Sequence, residues 1–350
     1  MSPPRVVAGV RARGYRARSV SETTETGPAA HVRPAREPKD KSYSAPVRAA
    51  LGQLGLRAAA RMPLSALHAI GGVIGRALAL LPTRERLATR VNLELCFPEM
   101  SREQRAQLAR ASSIETGRTM AELAALWCWA PERVLALVRE VRGFELVEAA
   151  RARGPVLCLT PHLGAWELAG LYLASRVSLT SLYKPPRIRE MEAFYTQARE
   201  RTGATLVRAD VGGVRALHRA LRSGGVIGVL PDQDPGRGSG VFLPWFGVPA
   251  NTTTLVAKLL HKSEASLIIV WCERLGPGAG FRMNFSAPDA TGMRAADVEV
   301  SVRAMNRELE RLIRTAPAQY LWSYKRFRNR PPGEADLYRR APRAPGVPRA

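Results

Sequence analysis

The chain has 350 residues, 46% of them hydrophobic, enough for one large globular domain or two ordinary ones with a sizeable core. A formal charge of +23 implies a polyanionic partner, either nucleic acid or an anionic membrane surface, without choosing between them. The four cysteines form no Cys-x-x-Cys pair and the five histidines are dispersed, so neither a disulfide framework nor a metal centre is supported.

Residues 1–45 mix Arg, Pro, Ser, Gly and Thr without periodicity and read as a disordered basic tail lacking the apolar core of a signal peptide. From residue 46 to 82 the chain turns Ala/Leu-rich and helical. The apolar run Met62–Gly75 is cut by Arg76 and weakened by Gly71, Gly72 and Gly75, which falls short of a spanning helix. It suits an interfacial anchor or a membrane-dipping hairpin, or else an ordinary buried helix. A basic amphipathic helix follows from Arg84 and stops at Pro98. Ser101 and Gln104 form a capping box for a long helix running to about Trp129. Glu115, Arg118 and Glu122 within it read as a solvated face.

Beyond Gly154-Pro155 the pattern changes to strands alternating with helices. Val156-Leu-Cys-Leu159 is a short apolar run ended by Pro161, so His162 falls in the turn at the carboxyl end of a buried strand. That edge of an open α/β sheet is where ligands collect. Glu167 opens the next helix, where it can fold back on the His162 ring, fix the tautomer and leave the other nitrogen as a base. Cys158 lies within the apolar strand, where thiolate formation is disfavoured.

Further strands are read at 178–183, 204–208, 226–230, 266–271 and 281–285, with helices at 189–201, 212–221, about 254–261 and 295–314. Asp232-Gln233-Asp234 then stands at a strand end before a Gly-rich loop. It matches the Asp-x-Asp with which metal-dependent glycosyltransferases hold a divalent ion against a diphosphate. Phe242, Trp245 and Phe246 offer either a wall for an alkyl chain or ordinary core. Tyr320, Lys325 and Arg326 interleave rings and charges in a manner suited to RNA or a phosphorylated saccharide. From Pro332 onward a second disordered tail is expected. The pattern as a whole predicts an α/β fold, a mostly parallel sheet covered by helices, after a helical N-terminal region.

Several motifs together resemble one family. His162-Leu-Gly-Ala-Trp166-Glu167 is similar to the His-x4-Asp/Glu motif of the glycerolipid acyltransferase superfamily. It is closest to the His-x-Gly-Asn-Trp-Glu of the Kdo-dependent late acyltransferases of lipid A biosynthesis, with Ala165 in place of Asn. Asn92-Leu, Phe97-Pro-Glu99, Asp232-Gln233, Gly240–Gly247 (Trp245 for Phe) and Pro317–Pro331 (Ala318 for Glu, Tyr324 for His) resemble further signatures of that family.

The resemblance implies the glycerolipid acyltransferase-like sandwich, with residues 83–331 as the catalytic domain and 46–82 as anchor. It implies direct acyl transfer with His162 and Glu167 as catalytic dyad and no acyl-enzyme. Arg199, or Lys184, would hold the oxyanion. Trp166, Asp232, Gln233, Tyr320, Lys325 and Arg326 would bind substrate, and Phe242, Trp245 and Phe246 the acyl chain. No metal or cofactor is implied beyond an acyl carrier protein or coenzyme A thioester as co-substrate. The implied partners are acyl carrier protein, a lipid acceptor and an anionic membrane, not nucleic acid, at the cytoplasmic face of the inner membrane. Acylation of another glycolipid or a lysophospholipid would use the same two residues.

Overall fold

A computed structural model describes residues 45–339, so the expected basic tail lies outside the described residues apart from Ala45. Four helices lead: α1 (Ala45–Ala59), α2 (Leu64–Leu80), α3 (Arg84–Cys96) and α4 (Arg102–Cys128). The predicted capping box is present at the start of α4, with Ser101 and Gln104 each satisfying the other's backbone N–H. The short α5 (Pro131–Leu135) leads into β1 (Val138–Arg142), α6 (Phe144–Arg153), β2 (Val156–Leu159) and α7 (Trp166–Arg176). Next come β3 (Leu179–Tyr183), α8 (Glu192–Glu200), β4 (Thr205–Arg208), α9 (Val211–Arg222) and β5 (Val226–Val229). The chain continues through a hairpin of β6 (Val241–Trp245) and β7 (Val248–Thr252), then α10 (Leu255–His261), β8 (Ser266–Gly276), β9 (Gly280–Ser286) and α11 (Val298–Thr315).

Seven strands form one sheet in the order β1-β9-β8-β2-β5-β3-β4. Every neighbouring pair is parallel except β8 with β9. The predicted mostly parallel sheet is therefore observed. Central strands β2 and β5 are buried at every residue, as expected of strands covered on both faces. Side chains alternate between two cores. Leu157, Leu159, Ile227 and Val229 point to a layer built from α3, α9, α10, α11 and the hairpin. Val156, Cys158, Val226 and Ile268 point to the opposite layer, against α4, α6 and α7.

Three features depart from the expectations. The glycines of α2 do not merely weaken a helix. A Cβ at Gly71 would stand 2.5 Å from the Gly117 carbonyl oxygen, and one at Gly75 2.3 Å from that of Ser113. These glycines let α2 lie directly on α4, leaving Ile70, Val73, Ile74 and Leu80 exposed on its other face. α1 likewise exposes Val47, Leu51 and Leu54, a single stripe at helical spacing. Among the described residues no single helix is long and apolar enough to cross a membrane; α2 and α3 pass together only across a 77° bend.

The second departure is Glu122, expected on a solvated face. It is fully buried, bonded to Arg274 through both oxygens and to His68. The third concerns residues 332–339, expected to belong to a tail: Tyr338 is buried, with its hydroxyl between the Phe327 N–H and Asn92 Oδ1.

Candidate active site

Two strands that lie side by side end alike. Val156 to Leu159 of β2 pair in register with Val226 to Val229 of β5. Each strand then meets a proline: Thr160-Pro161-His162 after β2, and Leu230-Pro231-Asp232 after β5. His162 and Asp232 thus stand three residues beyond the paired Leu159 and Val229, and the parallel register brings them together at the carboxyl edge of the sheet.

The contact is two-pronged. His162 Nδ1–H donates to Asp232 Oδ1 at 2.9 Å, and the His162 backbone N–H donates to Oδ2 of the same carboxylate at 3.0 Å. The Asp232 side chain is wholly buried whereas that of His162 keeps 17% of its surface. Burial alone would raise the Asp232 carboxyl, but the His162 imidazole and the backbone N–H groups outweigh it, holding the group below the usual aspartate range. An anionic carboxylate behind Nδ1 leaves the lone pair on Nε2.

The rest of the turn is fastened on all sides. The Leu321 N–H donates to the His162 carbonyl at 3.1 Å, Gly164 N–H to Gln319 O at 3.0 Å and Ala165 N–H to Cys272 O at 2.8 Å. Gly164 has φ +64°, and a Cβ there would lie 2.0 Å from the Cys272 oxygen, so only glycine fits. Gln319 extends the clamp, its amide bonding the N–H and the C=O of Arg274. The half-buried Trp166 ring lies 5.2 Å from the His162 ring, centre to centre. Tyr320 is buried below, its hydroxyl pushed up by burial and by the Asp232 carboxylate.

This arrangement corrects the expected dyad. The carboxylate on the His162 ring is Asp232, expected to bind substrate, not Glu167. Glu167 instead accepts from Arg199 Nε at 2.8 Å, from the Arg199 terminal nitrogen and from Trp127 Nε1 at 3.3 Å. Arg199 also stacks on Tyr195, its guanidinium carbon 3.7 Å from the ring centre. Glu167 therefore fixes a guanidinium at the start of α7, and no side chain caps that helix N-terminus.

The remaining expected residues separate into two groups. Lys184, directly after β3, is exposed on the same sheet edge, and Gln233 is half-buried next to Asp232. Phe242 is exposed on the hairpin, but Trp245 and Phe246 are core, packed on Tyr320, Trp322 and Phe97. They sit inside because the β6–β7 turn at Phe246-Gly247, both with positive φ, folds the aromatics inward. Arg326 is buried too and ties the C-terminal segment to the Asn251 carbonyl and the Thr252 hydroxyl. Lys325 lies over the Tyr338 ring at 5.2 Å. Trp245, Phe246 and Arg326 are thus all buried in the ligand-free fold.

Asp234 accepts from the Gly236 N–H, Asn251 and Asn329. The two carboxylates of Asp232-Gln-Asp234 therefore face different partners, Asp232 the histidine and Asp234, through Oδ1, the loop, while Asp234 Oδ2 is buried without a hydrogen-bond partner. Cys158 is fully buried, and burial pushes its thiol up to about 12, which removes it as a nucleophile. Asn92, part of the Asn92-Leu motif, has a structural role in the site. It donates to the Trp322 and Tyr324 carbonyls at 2.7 Å each, holding the C-terminal segment that carries Tyr320.

An α/β fold with a histidine at its sheet edge and a buried carboxylate behind one ring nitrogen has a geometry compatible with general base catalysis. The comparisons say which kind. Residues 36–329 match the family model described as bacterial lipid A biosynthesis acyltransferase. The chain is 31% identical to the lipid A biosynthesis palmitoleoyltransferase of Escherichia coli strain K12, over 79% of this chain and 90% of that protein. It is 29% identical to the lauroyltransferase of the same strain, with the same shares covered. Identity to the myristoyltransferase is 26%, over 76% of this chain and 82% of that protein. The chain belongs to the bacterial lipid A biosynthesis acyltransferase family, and it is an O-acyltransferase.

Proposed function

We propose that this enzyme transfers a fatty acyl group from an acyl thioester to a hydroxyl of a lipid A precursor, with His162 as general base and Asp232 as the group that orients it. The paired bonds from His162 to Asp232 carry this reading. They hold the imidazole as its Nδ1–H tautomer, so Nε2 is the nitrogen able to take the acceptor's hydroxyl proton. The acceptor oxygen then bonds to the acyl carbon, the carbon–sulfur bond breaks, and the imidazolium returns the proton to the departing thiolate. Charge gathering on the carbonyl oxygen needs donors already in place. The Arg199 guanidinium, held by Glu167 and Tyr195, and the uncapped N-terminus of α7 are the candidates in this chain.

The donor in this reading is acyl carrier protein or coenzyme A. An acidic carrier and an anionic membrane both suit a chain of charge +23. The exposed apolar faces of α1 and α2 would rest in the cytoplasmic leaflet of the inner membrane, bringing the lipid acceptor to the sheet edge. The test is acyl transfer by the full chain in membranes, from labelled acyl carrier protein and from acyl coenzyme A, to a panel of lipid A precursors, other glycolipids and lysophospholipids. Label on a lipid A precursor supports the reading; label only on another lipid or none overturns it.

A further inference from the structure

α2, α4 and the 3-10 turn Pro317–Gln319 border a groove of about 260 Å³ lined by Arg76, Ile114, Glu115, Arg118, Ala318 and Gln319. Its charges do not balance. Glu115 has both oxygens committed, one to Arg118 and one to Arg274 at 2.6 Å, and Glu122 is used by Arg274 and His68. His68 accepts the Gly278 N–H on Nδ1 and so contributes no positive charge. Three guanidiniums, Arg76, Arg118 and Arg274, thus meet two carboxylates.

The surplus faces the groove. Among the described residues Arg76 makes no ion pair or hydrogen bond, and Arg118 Nε is buried without a partner. A buried donor left without an acceptor is destabilising. Both groups stand over Gly72, each 3.7 Å from where a Cβ would sit. A tetrahedral oxyanion beside the two side chains would occupy the free Arg76 guanidinium and cancel the excess charge; paired arginines suit phosphate best.

We infer that this groove binds a phosphate group, carried by a lipid headgroup or free in solution. Val73 and Leu80, exposed three residues before and four after Arg76 on the same helix, are its neighbours along the helix surface and supply the apolar border a headgroup site requires. The site stands apart from the acyl-transfer reading and is tested without activity.

The experiment is titration calorimetry of the full chain in a neutral maltoside detergent, with inorganic phosphate, dihexanoyl phosphatidic acid and dihexanoylglycerol as probes. The phosphatidic acid is expected to bind at least about tenfold more tightly than the neutral diglyceride. Arg76→Ala is expected to weaken it about tenfold or more, Arg76→Lys by much less. Ala318→Glu, which brings an internal carboxylate to the groove, is expected to abolish it. Thermal midpoints confirm that each variant is folded; Arg76 is exposed and Ala318 half-buried. Inorganic phosphate binding as tightly as the phosphatidic acid assigns the site to free phosphate, and weaker binding assigns it to a headgroup. No preference for the phosphate-bearing probes, or undiminished binding by folded Arg76→Ala and Ala318→Glu, overturns the inference.

Discussion

Replacing Asp232 by Asn changes one atom, yet the geometry dictates a reversed histidine. Two donors of His162, the backbone N–H and Nδ1–H, face the two carboxylate oxygens. An amide has only one oxygen. The backbone N–H cannot give up its hydrogen, so the Asn oxygen turns toward it and the NH2 group is left against Nδ1. Nδ1 must then accept, which moves the ring hydrogen to Nε2 and blocks the base. The loss is expected to be about 10³–10⁴-fold in kcat, roughly 4–5.5 kcal/mol, comparable to the effect of a reversed tautomer in hydrolytic triads. The fold should survive, because the shape and at least one hydrogen bond are retained. The assay is initial rate of acyl transfer by matched amounts of folded protein, with thermal midpoints in parallel. Asp232→Asn retaining kcat within about threefold of wild type would refute the tautomer argument.

Glu167→Gln is expected to lower stability by about 3 kcal/mol by stranding the Arg199 charge. In double-mutant cycles Glu167 should couple with Arg199 by at least about 1 kcal/mol and add independently with Asp232; strong coupling to Asp232 would restore the local dyad. Gly164→Ala forces a Cβ against the Cys272 oxygen at positive φ, costing at least about 1–2 kcal/mol for the backbone alone, and a thermal melt near wild type would contradict the clamp. Because the Asp232 carboxyl is held below its unfolded value, its stabilisation is complete above the ordinary aspartate range and disappears as pH falls through the lower folded value. Thermal midpoints of Asp232→Asn should therefore fall less steeply on acidification than those of wild type. Serine at Ile70, Val73 and Ile74 should reduce flotation with anionic vesicles with little change in the melt, since these side chains are exposed.

The long helices and the central strands were legible because each carries its signal locally. α4 announces its start with Ser101 and Gln104, and β2 and β5 are short apolar runs closed by proline. The edge strand β1 is mostly charged and shows no clean alternation, so the sequence carries no strand signal there. The β6–β7 hairpin hides behind Pro244 and Pro249, and its turn uses Phe246-Gly247 in place of the usual Asn-Gly. In the site, His162 could be found from its place after a buried strand. Its partner could not, because spacing within one segment favours Glu167, five residues away, over Asp232, seventy residues away. Sheet register decides the pairing, and the only trace of it in the chain is that two strands end in the same Pro-x pattern. Glu122 and Arg274 escaped for a similar reason: two charges 152 residues apart are buried only because each meets the other.

The most direct measurement is the rate at which membranes carrying wild type or His162→Ala move a labelled acyl group from acyl carrier protein to a lipid A precursor. With both proteins at equal level and equally folded, the account predicts a loss of about 10²–10⁴-fold on removing the imidazole. A His162→Ala enzyme working within a few-fold of wild type would contradict it.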